Sequence, residues 1–531
     1  MMIKNKQKIL LFFLFIFSIY CGLLIGESWD EGYNLSSGKA TLDYLFSLGK
    51  INNEVYYGEY YSSIYWSILY FISKIFPSQY QIEINHLINL IFSLGTIFGI
   101  GKLSKELFNK KVGKITFLIL FFYPVFFGHM AINSKDTILA FCHVWIFYLL
   151  LRYLKKQDAK DKSSYYIILI GVLTALATGI QLIFLGSLIT VFLFILFDIF
   201  LGRKFINHNF NKKKILIDIF KSFFVFYFIL ILFWVETHQN IFTLPFNFLL
   251  ERLSPDTWSG WPFTLINGES YFSSKGPKLY FLINLIFKSP EYFLLCYVIF
   301  LFVVFRSNIF FKSKFNFFNY KLFLIVSIIS LPTLFLFIIP IPVSDGMRLF
   351  LWSLPYFCII PALVIYFLIE NFKKVTCKFT LIILFGLVSY YLLNFFSITP
   401  YQYTYLNILN GKNNFGYKKF ENDYWGTSLK ELINKSNFLN RKGKLALCGV
   451  NAEVVKSYLK KNKFSKITVV STNESYDFVI MTNRTIWKDN EFSTNTMNQK
   501  SKIITCFEKF EGKDLSTVKR NNLLLSTIRE K

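Results

Sequence analysis

Apolar residues in this chain run in solid blocks, and the blocks are separated by short clusters of lysine and arginine. The first block covers residues 9–25, behind Lys4, Lys6 and Lys8. It has the flanks of a signal peptide but no small-x-small cleavage site, so it is read as a retained first span. Further blocks lie near 84–101, 115–127, 136–151, 165–178, 180–200, 215–235, 280–305, 321–340, 349–369 and 379–396. Together they predict a polytopic α-helical membrane protein of about 11 spans. Several blocks fall short of the ~20 residues that cross a bilayer of about 30 Å, so adjacent loops are expected to dip into the membrane.

The basic clusters orient the spans. Lys102, Lys105, Lys110, Lys111 and Lys114 share one loop, and Arg152, Lys155, Lys156, Lys160 and Lys162 a second of the same parity. Arg203, Lys204 and Lys212 to Lys214, then Arg306, Lys312 and Lys314, then Lys373, Lys374 and Lys378 continue it. Short loops enriched in lysine and arginine stay in the cytoplasm. The N-terminus is therefore expected inside, and residues 27–83, 128–136, 236–279, 341–348 and everything after about 397 outside.

After residue 400 the pattern changes. Apolar runs shrink to strand length at 444–448, 466–471 and 476–481, and 452–459 has helical spacing. The expected organisation is a multi-span membrane domain over 1–399 and a small extracytoplasmic α/β domain over 400–531.

Composition supports this reading. Across 531 residues, 54% are hydrophobic and 20% aromatic against 17% charged, which excludes a soluble enzyme, a disordered chain, a fibre and a disulfide scaffold. The net charge of +26 is accounted for by the cytoplasmic loops, so no nucleic-acid partner is implied. Cys21, Cys142, Cys296, Cys358 and Cys377 lie in or beside apolar blocks as small hydrophobes. Cys448 and Cys506 remain, either bridged to each other or two inert thiols.

Candidate chemistry gathers in the outside loops. Asp30 and Glu31 are adjacent carboxylates at the membrane edge. They are either a solvated acidic loop or a site for a cation, a cationic substrate or a base. In the second loop His129, Lys135 and Asp136 precede a span; Asp136 is either a helix cap or part of a polar site, and His129 a candidate acid, base or donor. Arg348 enters a span from a third, very short loop. It either pairs with Asp345, snorkels, or holds an anion such as phosphate in its planar fork. Trp258-Ser259-Gly260-Trp261-Pro262 offers either a stacking platform or interfacial aromatics.

These motifs carry a resemblance. Trp29-Asp30-Glu31, then Phe127-Gly128-His129 with Asn133, Lys135 and Asp136, then Asn267-Gly268-Glu269 and Lys288-Ser289-Pro290 follow one another along the chain. Asp345-Gly346-Met347-Arg348, Pro400-Tyr401-Gln402-Tyr403 with Asn407, the run from Phe420 to Ser428, and Tyr476-Asp477-Phe478 before Thr482-Asn483-Arg484 complete the series. In these motifs and their order the chain resembles membrane glycosyltransferases with the C-type fold, specifically the bacterial relatives of dolichyl-phosphate-mannose protein mannosyltransferases in glycosyltransferase family 39. One departure is Gln181, after Ala177-Thr178-Gly179-Ile180, where such relatives often carry arginine.

The resemblance implies an inverting transferase of the bacterial plasma membrane. It would move a sugar, mannose-type first, from a polyprenyl-phosphate donor to a hydroxyl on a protein, lipid or glycan acceptor at the outer face. It also implies roles: Asp30 as base, Glu31 and Asp136 orienting acceptor or sugar, and His129, Lys135 and Arg348 on phosphate or sugar hydroxyls. Whether a divalent metal takes part stays open, with Asp30, Glu31 and His238 the residues that would hold one. The alternatives are a related C-type transferase acting on a lipid or polysaccharide, and a lipid or sugar transporter. The lack of ionisable residues along a mid-span path counts against the transporter.

Overall fold

The computed structural model describes every residue except Met1, Glu54, Tyr56, Tyr57, Ala159, 207–209, 255–259, Pro340, Arg441 and 489–501. Among the described residues, eight helices are long and apolar enough to cross a membrane: Lys6–Leu24, Ser78–Leu107, Asp136–Lys156, Ser163–Ile180, Lys212–Leu232, Glu291–Lys314, Phe318–Ile338 and Val375–Ser397. Each falls on a predicted apolar block. Three further predicted blocks are divided into shorter apolar helices. Pro124 starts a new helix, Pro124–His129, after Lys110–Phe121 ends. Residues 184–202 divide into Phe184–Ser187, Ile189–Phe197 and the wide turn Asp198–Gly202. Pro355 and Pro361 fall among the short helices Leu354–Phe357 and Ile359–Glu370. At Pro124 and Pro355, which stand at the starts of new helices, proline lacks the backbone donor a continuing helix would need.

Burial sorts the helices. Ser78–Leu107 and Asp136–Lys156 are packed at the centre, whereas Lys212–Leu232, Glu291–Lys314 and Val375–Ser397 bury less than a fifth of their most apolar stretch. Their exposed Phe223, Phe224, Phe305 and Phe385 would be intolerable in water and are at home against lipid.

The long segments between spans are not simple loops. The first folds into helices Glu31–Phe46 and Ile64–Ser73. The stretch before residue 280 contains helix Leu244–Arg252 and a hairpin of β1 (Phe263–Ile266) and β2 (Glu269–Phe272), joined by Asn267 and Gly268.

The tail carries a five-stranded sheet. It is built from β3 (Gly443–Cys448), β4 (Ile467–Val470), β5 (Phe478–Thr482), β8 (Lys513–Arg520) and β9 (Leu523–Glu530), in the order β4-β3-β5-β9-β8. β3 runs parallel to β4 and β5, while β9 is antiparallel to β5 and β8. Between β3 and β4 lies helix Ala452–Lys461. Two short strands, β6 (Thr485–Trp487) and β7 (Ile503–Thr505), pair beside the sheet. Cys448 and Cys506 are bridged, with Cα atoms 5.8 Å apart.

This tail is clamped to the membrane-side helices rather than hung from them. Gly26 N–H donates to Thr427 O at 3.1 Å, Glu27 N–H to the Tyr458 hydroxyl at 2.7 Å, and Asn451 Nδ2 to Trp29 O at 3.0 Å. One continuous buried cluster runs from Leu14 and Ile97 in the helices to Leu445 and Ile528 in the sheet.

Candidate active site

Arg348 stands at the centre of one face of the helical body, where three separate inter-span segments each bring it a carboxylate. Its Nη1 lies 3.3 Å from Asp30 Oδ2 and 3.2 Å from Asp345 Oδ2, and its Nε lies 3.7 Å from Asp136 Oδ2. The guanidinium also lies over the Trp425 ring, 5.1 Å from its centroid. Among the described residues no hydrogen bond or ion pair uses Nη2. Burial opposes the charge on Arg348, but Asp345, Asp30 and Asp136 outweigh it and push its pKa above the ordinary arginine range.

Local folding explains how each carboxylate arrives. Asp30 sits at the cap of helix Glu31–Phe46. Asp136 is the first residue of its helix, yet the capping is done by Asn133, whose Oδ1 accepts from the N–H groups of Lys135 at 3.0 Å and Asp136 at 2.8 Å. Asn133 Nδ2 donates to Asp136 Oδ2 at 3.0 Å, which leaves that carboxylate aimed at Arg348. Asp345 (φ 58°) and Gly346 (φ 63°) are consecutive left-handed residues. An aspartate held there stores strain of order 1 kcal/mol, and the turn sets its carboxylate between two arginines. Arg484 Nη1 takes the other oxygen at 2.7 Å. Burial would raise the Asp345 carboxyl; Arg484 and Arg348 beside it reverse that and hold it below the usual range.

Exposure separates the three acids. The side chains of Asp345 and Asp136 are 3% and 9% exposed, Asp30 20%. Asp30 is the one an incoming group can reach.

Beside this cluster lies a cavity of about 40 Å³ whose walls include Lys135, Asp136, Arg252, Arg348 and Tyr61. Lys135 Nζ donates to the Tyr61 hydroxyl at 3.1 Å. Burial would raise that phenol, but the Lys135 and Arg252 cations bring it below its ordinary value. Leu139, Gln181 and Leu349 are shared with a second cavity of about 50 Å³, otherwise lined largely by Phe184, Phe335, Ile341 and Trp352. A cationic chamber thus lies against an apolar one, with these three side chains as the wall between them. The arrangement suits an amphiphile with an anionic head.

Other sequence candidates lie differently. Glu31 is turned inward: its Oε2 accepts from Ser28 N–H at 2.6 Å and its Oε1 pairs with His86 Nε2 at 3.0 Å, so it braces the loop that presents Asp30. His129 is fully buried and both ring nitrogens are engaged. Its Nδ1 faces Val125 O at 2.7 Å, and since a carbonyl only accepts, Nδ1 carries the proton; Nε2 then accepts from the Tyr424 hydroxyl at 2.8 Å. Burial pushes its pKa down to about 3. A neutral, saturated imidazole positions Tyr424 and has no valence left for phosphate or a sugar hydroxyl, which corrects that expectation. His238 Nε2 bonds Ile231 O at 2.9 Å, and among the described residues no three His, Cys, Asp or Glu side chains are grouped to hold a metal ion. Asp30, Glu31 and His238 therefore do not form the metal site considered above. Of the aromatic loop, Trp258 and Ser259 lie outside the described residues. Trp261 packs edge-on against Trp29 and beneath Arg484, and its Nε1 donates to Thr485 O at 2.7 Å.

Residues 420–428 are more than a tail anchor. They are buried throughout and form a wall of the site, with Tyr424 on His129 and Trp425 against Arg348. Glu421 Oε1 accepts from Thr485 N–H at 2.8 Å, and Asp423 accepts the N–H groups of Thr427 and Ser428 at 2.9 and 2.8 Å. Arg252 and Tyr61 carry no local signal, and Arg484 stands out only within the Thr482-Asn483-Arg484 run, with no role attached to it. They come from positions far apart in the chain and meet only through packing.

Comparison with known proteins agrees with this architecture. Residues 64–240 match the family described as dolichyl-phosphate-mannose-protein mannosyltransferase. No curated protein matches the sequence significantly. Among solved structures the chain is similar to ArnT from Cupriavidus metallidurans in the apo state, at 10% identity and TM-score 0.51, over 99% of this chain and 98% of that one. The same protein bound to undecaprenyl phosphate aligns at TM-score 0.48 with 10% identity over the same shares. The Archaeoglobus fulgidus oligosaccharyltransferase in the apo form aligns at TM-score 0.46 with 10% identity, over 88% of this chain and 69% of that one.

Proposed function

We propose that this integral membrane protein, which carries a glycosyltransferase family 39 domain on the C-type transferase fold, moves a sugar from a polyprenyl-phosphate donor to an acceptor hydroxyl at the outer face. The observation that carries this reading is Asp30 paired with Arg348, an arginine that also lines a cationic chamber lying against an apolar one. The lipid phosphate would enter the chamber and engage Lys135 and the unused Nη2 of Arg348, with the first isoprenoid units between Phe335, Ile341 and Trp352. Arg252 would supply charge on the side where Gln181 supplies none.

Phosphate on Arg348 loosens its hold on Asp30, which then accepts the acceptor's hydroxyl proton as the oxygen attacks the anomeric carbon. The new C–O bond forms as the bond from the anomeric carbon to phosphate oxygen breaks on the opposite face, so the configuration inverts. The electron pair leaves on the polyprenyl phosphate, already a stable anion, and needs cations rather than a general acid. Asp136 and Asp345 keep Arg348 in place, and Glu31 and His129 act as positioning residues. Mannose is the sugar that the family description favours.

The lysine-rich loops favour an extracytoplasmic position for this face, and the Cys448–Cys506 bridge supports the same reading, because disulfides persist in oxidising compartments. Membranes containing the protein, supplied with a panel of polyprenyl-phosphate sugars, should release free polyprenyl phosphate and a glycosylated product detectable by mass spectrometry. Silence across the panel, with intact protein, would contradict the reading.

A further inference from the structure

At the opposite end of helix Gln81–Leu107 from the active site lies a surface groove of about 410 Å³, formed with helices Met2–Leu24 and Lys110–Phe121. His86, beside Glu31, and Lys105, at the groove, are separated along this helix by roughly 28 Å at 1.5 Å per residue. The groove belongs to neither chamber described above.

Its floor is apolar: Leu10, Leu11, Phe98, Phe117 and Leu118 line it, and all but Phe117 are exposed. Its rim is cationic, with Lys102, Lys105, Lys110 and Lys114 exposed at one end. Among the described residues none of the four is ion-paired, in contrast to Lys111, which meets Glu370 at 2.5 Å, and Lys155, which meets Glu106 at 2.7 Å. Lys102 lies over the Trp145 ring and Lys114 donates to Gln7 Oε1 at 3.1 Å, contacts that leave their charge uncompensated. The N-terminus of helix Lys110–Phe121, where backbone dipoles add positive potential, opens at the same rim.

The groove is built by close backbone approach. A Cβ at Gly113 would lie 2.5 Å from Gly101 O and 3.0 Å from Lys105 Cβ, so the two helices meet at a depth only glycine allows. That contact brings Lys105 and Lys114 to one mouth above the apolar floor.

We infer that this groove binds an acidic phospholipid of the leaflet on the side away from the active site. Its phosphate would lie among the four lysines and its acyl chains along Phe98, Phe117 and Leu118. Charge complementarity identifies the occupant: a neutral lipid would satisfy the floor but not the rim, and a free anion the rim but not the floor.

The test uses delipidated full-length protein in detergent, titrated with phosphatidylglycerol or phosphatidylcholine and read by native mass spectrometry. Phosphatidylglycerol should be retained at least about tenfold more tightly. Replacing Lys105, Lys110 and Lys114 together by alanine should abolish the preference, and replacing them by arginine should keep it. Glycerophosphoglycerol, the headgroup without chains, should not compete on the wild-type protein. Equal retention of the two lipids, an undiminished preference in a folded alanine variant, or full competition by the headgroup alone would each overturn the inference. The wild-type titrations decide the matter even if the alanine variant fails to fold, and Arg348→Ala should leave the preference intact.

Discussion

The two ends of the helical body handle charge in opposite ways. At the active-site end, Asp345, Asp136 and Arg348 are withdrawn from water and shared, one guanidinium among three carboxylates and one carboxylate between two guanidiniums. At the opposite end, Lys102, Lys105, Lys110 and Lys114 stand exposed and, among the described residues, without acidic partners. Buried shared charge is costly unless every partner is present, so its persistence points to chemistry that uses it. Exposed, same-sign charge costs little and serves orientation and lipid contact.

That contrast can be broken most severely at Asp345. Asp345→Ala takes from the buried Arg484 its one carboxylate partner among the described residues and from Arg348 one of three, and should cost about 3 to 5 kcal/mol, seen as a large fall in thermal midpoint in detergent. A variant as stable as wild type would mean that the shared charges are not interdependent. Arg348→Lys keeps the charge but loses the fork, and should weaken use of the lipid donor by about 1 to 3 kcal/mol, tenfold or more in kcat/KM. Unchanged donor kinetics would remove Arg348 from the phosphate site.

Acid should act through His129. An unfolded imidazole takes a proton below about 6.5, whereas the buried ring resists until about 3, so stability attached to it falls as pH drops through that window. The loss approaches roughly 1.4 kcal/mol per pH unit. His129→Gln should flatten the stability–pH curve between pH 6 and pH 4 relative to wild type; identical slopes would show that the ring is protonated in the fold. Glu31→Gln should lower turnover less than a change at Asp30 does and leave chelator sensitivity unaltered, because its carboxylate holds Ser28 and His86 rather than substrate or metal. At the opposite end, Lys114→Ala should change stability by no more than about 0.5 kcal/mol.

The apolar blocks made the spans legible from sequence, because a bilayer demands long uninterrupted hydrophobic runs and little else has them. Strands β3, β4 and β5 and the helix after β3 were equally legible. β8 was not: Lys513–Arg520 is an edge strand whose lysines and polar residues hide its period. In the site, Asp30, Asp136, Lys135 and Arg348 could be singled out because charged residues in short loops against apolar spans are expensive. Asp345 was visible only as a partner for Arg348, and it turned out to be shared with Arg484. The inward turn of Glu31 was not legible, since adjacent residues at a helix start face different ways and only His86, 55 residues on, decides which one is buried.

The central claim is that Asp30 accepts the proton while Arg348 holds the phosphate. Donor binding and turnover measured side by side on Asp30→Asn test it most directly. The account predicts that turnover falls by about 10² to 10⁴ while donor affinity is retained or rises, since removing the carboxylate frees Arg348. Turnover within a fewfold of wild type would contradict it.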